Sequence, residues 1–251
     1  MLSLVTYVKK MPSFRLLLVK EGVFYAGCCT FAPMIVANMN LHEVYANLMK
    51  EMPKLDWKRD TLLPKAVKEI RKSVEFPAYV MYDYKSPSTN NQYIVYFYQE
   101  HPFAPVLGGY LLVLFDDSKR YIIKWTDKGI PEVHILTSHF LQRYKERFLK
   151  LPELTANEVA VRYLSRNFTM RIMNVDERIN RHIKDYGEYA GEGFLVQDGF
   201  CFKLSGEESM EGEEQPIRIS FFTTFMPLSE MSDTQREAIF EECMKEASSV
   251  L

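Results

Sequence analysis

What the sequence lacks narrows its chemistry. Its four cysteines, Cys28, Cys29, Cys201 and Cys243, include no Cys-x-x-Cys pair, and adjacent cysteines such as Cys28 and Cys29 do not readily bridge each other. A disulfide framework is excluded as the organising device. With 13 methionines as well, the chain is expected in a reducing, cytoplasmic compartment. Five histidines, His42, His101, His134, His139 and His182, are scattered and form no His-Glu-x-x-His pattern, so no metal and no other cofactor is expected. Gly108-Gly109 has neither a Gly-Lys-Ser/Thr ending nor a Gly-x-Gly-x-x-Gly series beside it. It reads as a turn or bulge, not as a phosphate loop. Ser118, Ser138 and Ser165 lack the context of a nucleophile elbow, and Cys28-Cys29 sits in an apolar run that reads as core.

A long membrane-spanning run is also missing. Gly22 to His42 carries no Asp, Glu, Lys or Arg, over about the length that crosses a bilayer. Gly27, Thr30, Pro33, Asn38 and Asn40 interrupt it, so the segment is predicted to be a strand followed by a buried loop, with no membrane contact. Lys9, Lys10, Arg15 and Lys20 break every apolar region near the amino terminus, which predicts no signal peptide. Neither an internal repeat nor a Pro/Gly/Ser-rich linker marks a domain boundary. The 251 residues suffice for one large domain or two small ones. A boundary near residue 104 is expected, separating an amino-terminal α+β region, 1–104, from a second α+β region, 105–251, with a single domain as the alternative.

What is present is an aromatic-rich chain with the balance of a globular protein: 47% hydrophobic, 25% charged and 14% aromatic residues. Runs such as Tyr93-Ile-Val-Tyr-Phe-Tyr98 favour strands. A hairpin is expected over 14–27, then two amphipathic helices over 41–51 and 62–73, the first limited by Pro53. Five strands follow, over 76–84, 92–99, 109–116, 120–126 and 131–137, too closely spaced for parallel crossovers. Capping boxes at Thr155-Ala-Asn-Glu158 and Ser232-Asp-Thr-Gln235 open helices, and Asn174-Val-Asp-Glu177 resembles a weaker start. The last helix should bury Ile239, Phe240, Cys243, Met244 and Ala247. Between them lie a hairpin over 194–204, turning at Asp198-Gly199, and a strand over 217–225. The fold class is α+β, with mainly antiparallel sheet and packed amphipathic helices.

Charge is polarised along the chain. From His139 to Lys184 there are ten Lys/Arg against five Asp/Glu, whereas Asp185 to Glu214 holds nine acids against Lys203 alone. Within the basic part, Thr137-Ser-His-Phe-Leu-Gln-Arg-Tyr-Lys-Glu-Arg-Phe148 places His139, Arg143 and Arg147 four apart, on one face of a helix capped by Thr137 or Ser138. An imidazole, two guanidiniums and a helix start suit a phosphate. The structural alternative is equally definite: Glu146 can pair with Arg143, while Phe140, Leu141, Tyr144 and Phe148 form a core stripe.

The order of His-x-x-x-Arg-x-x-x-Arg on a helix, a second helix, a hairpin and a strand carrying Thr224 resembles toxin-type ribonucleases of the RelE/barnase-like fold and related bacterial or phage domains. The resemblance spans roughly residues 139–228. It implies a metal-independent ribonuclease or RNA-binding domain, with His139 as acid/base, Arg143 and Arg147 holding the scissile phosphate and Thr224 lining the site. RNA is the partner so implied, with a protein inhibitor or basic protein as a second partner through Glu207–Glu214. The residues name no second proton-transfer group; Tyr144, Tyr163, His182 and Glu146 are the candidates. The acidic stretch departs from the family and would repel RNA if folded over that face. The competing expectation is a noncatalytic bacterial structural or interaction protein, in which the motif helix is simply packed.

Overall fold

The computed structural model describes residues 34–35, 39–113, 120–125, 131–167, 170–180, 191–208 and 217–249. The hairpin expected over 14–27, His182, and most of the acidic stretch Glu207–Glu214 lie outside the described residues. Helix α1, Leu41–Ile70, leads into a meander of strands β1 (Ala78–Lys85), β2 (Gln92–Gln99), β3 (Leu107–Val113), β4 (Arg120–Trp125) and β5 (Pro131–Leu136). Helix α2 (Ser138–Tyr144), a π-helical turn (Lys145–Leu149) and helix α3 (Ala156–Arg166) follow. The chain then forms β6 (Met170–Asn174), β7 (Glu192–Val196), β8 (Gly199–Glu208) and β9 (Ile217–Met226), and ends in α4 (Asp233–Ser249). This is an α+β fold, and every strand pair is antiparallel but one. The exception is β5 with β9, which run parallel at the centre of a nine-stranded sheet of order β1-β2-β3-β4-β5-β9-β8-β7-β6. The connections through α2, α3 and β6 to β8 make that parallel pairing sterically available.

The expected division near residue 104 does not separate two units. It falls in the link between β2 and β3, which pair along their length from Gln92↔Val113 to Tyr98↔Leu107. Helices cover both sides of the sheet. On one face, Val44, Tyr45, Leu48 and Leu55 of α1 pack on Tyr93, Leu112, Val133 and Ile135, while Ala238 and Ile239 of α4 pack on Met173, Phe200 and Phe202. On the other, Phe140, Tyr144, Val159 and Tyr163 of α2 and α3 pack on Ile94, Leu111, Phe194 and Phe222. Strands buried on both faces read as continuous apolar runs, which is why 93–98 shows so little alternation. Side chains from both ends of the sheet, Tyr79 and Met81 of β1 and Met170 of β6, join the core around α2 and α3. The sheet therefore curls around these helices.

Four local expectations change. Helix α1 runs unbroken for 30 residues through Pro53 and Pro64. A proline removes one intrahelical hydrogen bond and costs about 3 kcal/mol; both prolines lie on the exposed side, where water replaces the lost donor, and the buried stripe on both sides of them holds the helix together. Asn174 ends β6 instead of opening a helix, and Asp176 caps a turn through the N–H groups of Arg178 and Ile179. Gly108 and Gly109 lie inside β3, not in a turn, because a Cβ there would come within 2.6 Å of the Phe97 ring and 2.7 Å of Tyr96; the glycines make room for cross-strand rings. In α4, Ile239 is buried as expected, but Phe240 and Met244 are 65% and 52% exposed, and Gln235 and Ala238 are buried in their place.

Candidate functional site

Thr137 caps α2, its hydroxyl accepting from the Phe140 N–H at 3.2 Å and donating to the Phe222 carbonyl at 2.8 Å. Phe140, Leu141 and Tyr144 are buried, as the core stripe requires, and His139 is exposed. Burial of part of its ring and the nearby Arg143 and Arg147 charges hold the His139 imidazole below its ordinary pKa, against a smaller opposing pull from Glu146. The three basic side chains thus lie within electrostatic reach of one another. Both arginines use donors elsewhere. Arg143 Nη1 donates to Glu146 at 3.2 Å. Arg147 Nη1 donates to the Phe225 carbonyl at 3.0 Å, and its Nε pairs with Glu230 at 3.8 Å. Arg147 belongs to the π-helical turn, closed by Lys150 N–H to the Lys145 carbonyl, so it no longer follows the 100° advance that aligned it with His139.

Thr224 is not brought to this group. Its neighbour Phe225 packs against Phe140, Tyr144 and Phe148. By strand alternation Thr224 points to the opposite face, where its cross-strand partner Phe202 packs under α4. The depression beside α2, of about 560 Å³, is lined by Ser138, Gln142, Lys145 and Lys150, not by His139, Arg143 or Arg147. Tyr144 and Tyr163 are fully buried, and both phenols are pushed well above their ordinary pKa by burial first. The Tyr144 hydroxyl donates to Asp198 and the Tyr163 hydroxyl meets the Cys201 sulfur at 3.2 Å, so both are bonded away from the surface. Glu146 is occupied by Gln142 at 2.7 Å and by Arg143.

Among the described residues three carboxylates are buried, each held by hydrogen bonds, and the sequence assigns none of them to a site. Glu51 on α1 accepts from Ser86, from Thr89 at 2.6 Å, from Asn91 at 2.9 Å and from Tyr93. Burial alone would raise its pKa, and these hydrogen bonds together bring it below the ordinary value. They pin α1 to the β1–β2 hairpin. Asp198, in the β7–β8 turn, takes Nε and Nη2 of Arg166 at 2.9 and 2.8 Å, Tyr144 OH at 2.5 Å and Asn167 Nδ2 at 3.0 Å. The turn is thereby tied to the end of α3. A flag was present in the sequence, since Asp-Gly at a hairpin tip names the turn, but nothing local says that the aspartate points inward.

The third carboxylate belongs to a row that crosses four strands on the α2/α3 face. Glu132 Oε1 lies 2.7 Å from Nε2 of the fully buried His134, whose ring packs against Phe194 and Phe222. Ser220 donates to Glu132 at 3.0 Å, Lys203 donates to Ser220 at 3.3 Å, and Lys203 pairs with Glu192 at 3.1 Å. Burial raises the Glu132 pKa, but His134, Ser220 and Lys203 outweigh it and draw it down to about 2. A serine beside a lysine and a carboxylate is a grouping that nucleophilic enzymes use. Here the hydroxyl both donates to Glu132 and accepts from Lys203, and Ser220 is buried, so it serves as a structural link between them. Among the described residues no group of three His, Cys, Asp or Glu is arranged to hold a metal ion, and no helix is long and apolar enough to cross a membrane.

Comparison of the chain with protein families, with curated proteins and with solved structures finds no match in any of the three. The likeness to toxin-type ribonucleases rests on the order of residues alone.

Proposed function

We propose that the chain is a noncatalytic binding protein in which the motif helix is a packed surface element. One observation carries this reading: the motif arginines are committed to protein acceptors, Arg143 to Glu146 and Arg147 to the Phe225 carbonyl. A phosphate clamp requires those donors to converge on one oxygen-sized position. The test is cleavage of a mixed labelled RNA pool by the purified chain in excess chelator, beside the His139→Ala variant, with both shown to be folded. Neither protein cutting RNA is the expected result. Cleavage by the wild type that is lost in the variant overturns the proposal.

A second reading, a metal-independent ribonuclease or RNA-binding domain, is favoured by one fact: Arg143 and Arg147 both act on the His139 imidazole. On that reading His139 is the acid/base and the arginines exchange their present acceptors for phosphate oxygens. It predicts RNA binding that weakens with added salt, which the same preparation measures by fluorescence anisotropy.

A further inference from the structure

A depression of about 700 Å³ lies where the two ends of the curled sheet approach each other. Tyr79 and Tyr98 line it from β1 and β2, Leu195 and Gln197 from β7 and its turn, and Ser165 and Arg166 from the end of α3. Its size suits a small-molecule site. Two features set it apart from the rest of the surface. First, the Ser165 hydroxyl is buried with no hydrogen-bond partner, in a residue only 6% exposed. Buried polar atoms in folded proteins are nearly always bonded, and α3 carries this one to the wall of the depression. Second, cations and rings are gathered there. Arg162 sits 5.0 Å over the Tyr79 ring, and Asp198 occupies Nε and Nη2 of Arg166, which leaves Nη1 as the remaining donor group of that side chain. Of the charged residues that line the depression, Arg166 is paired with Asp198, Arg171 donates to the Cys243 carbonyl at 3.0 Å, and Glu100 is exposed.

We infer that this depression binds a small organic anion built on one aromatic ring, its ring against Tyr79 and Tyr98, its charged group at Arg166, and a polar substituent at the Ser165 hydroxyl. Tyrosine faces suit a planar ring, and the remaining Nη1 donor of a guanidinium already held by one carboxylate suits one anionic group. The inference deepens the reading of the chain as a binding protein and rests on it only in expecting no turnover. RNA cleavage would leave it standing, because its test reads binding alone.

That test is calorimetric titration of the full chain with 4-nitrophenyl phosphate, 4-hydroxybenzoate and inorganic phosphate. At least one ring-bearing anion should bind at submillimolar concentration and more tightly than phosphate. The phosphate ester or the carboxylate binding better tells which anionic group the site takes. Ser165→Ala should weaken that binding about fivefold, the equivalent of one hydrogen bond, and Tyr98→Ala should weaken it further. Ser165→Ala should melt no lower than the wild type, since the hydroxyl it removes has no partner in the free protein. Failure of both ring-bearing probes overturns the inference, as does phosphate binding equally well. So does binding that neither variant weakens; Tyr98→Ala, at the half-buried rim, decides the matter if Ser165→Ala does not fold.

Discussion

Arg143 and Arg147 on one helical segment and Arg162 and Arg166 on the next share the same four-residue spacing, yet they do different work. The first pair lies over an exposed acid and a backbone carbonyl, Glu146 and Phe225. In the second pair, Arg166 grips the buried Asp198 side-on and Arg162 covers the Tyr79 ring. Spacing puts two side chains on one face of a helix; what lies beneath that face decides their role. An exposed pair in high dielectric gains little and is screened by salt. A charge buried with its partner is costly to leave alone.

The sharpest way to break the contrast is Asp198→Ala. It strands Tyr144, Asn167 and Arg166 together and should cost about 3–5 kcal/mol in urea denaturation, the range for removing one member of a buried pair. A loss under about 1 kcal/mol would mean that burial does not distinguish the two arginine pairs.

Next in size is the pH dependence carried by Glu132. Its folded pKa, about 2, lies below the ordinary 4.5. Between those values the unfolded chain binds more protons, so its contribution is complete above pH 4.5 and is lost as pH falls through 2. Denaturation of the wild type and Glu132→Gln across that window should show a gap of about 3 kcal/mol or less at the upper end that closes toward the lower. A constant gap would assign the stability to packing and not to charge.

Arg143→Ala should change stability by no more than about 0.5 kcal/mol, as for most exposed pairs. The smallest effect is spectroscopic. His139 should titrate below 6.5 by NMR, and Arg143→Gln should move it upward, because one of the charges that disfavour the imidazolium is gone. An unmoved titration would place Arg143 farther from His139 than the fold implies.

Much of the secondary structure was legible because its signals are local. The capping boxes at Thr155 and Glu158 and at Ser232 and Gln235 start α3 and α4 where the spacing predicts. The strands β1 to β5, the β7–β8 hairpin and β9 fall within a few residues of their apolar runs. The Asn40–Glu43 capping box before α1 is an equally local signal. The misreadings share a different cause. Pro53 signals a break when read alone, but a stripe from Val44 to Ile70, packed on the sheet, keeps α1 whole. Phe240 and Met244 have core chemistry, yet the sheet presents its surface to Gln235, Ala238 and Ile239.

For the candidate site, the sequence determined that His139, Arg143 and the core stripe of α2 share a helix and that Glu146 stands within reach, since these are consequences of helical period. It also determined the α+β class, through the lengths and spacing of its apolar runs. Only the tertiary structure decided that Thr224 faces away from His139, that the turn aspartate Asp198 is buried under Arg166, that Glu132, His134, Ser220 and Lys203 form one row, and that both ends of the sheet meet around Ser165. Each of these joins residues far apart in the chain through strand pairing and face. A one-residue change in register or a single bulge, such as the one between Phe202 and Lys203, reverses the face of every side chain beyond it, and no local pattern records that choice.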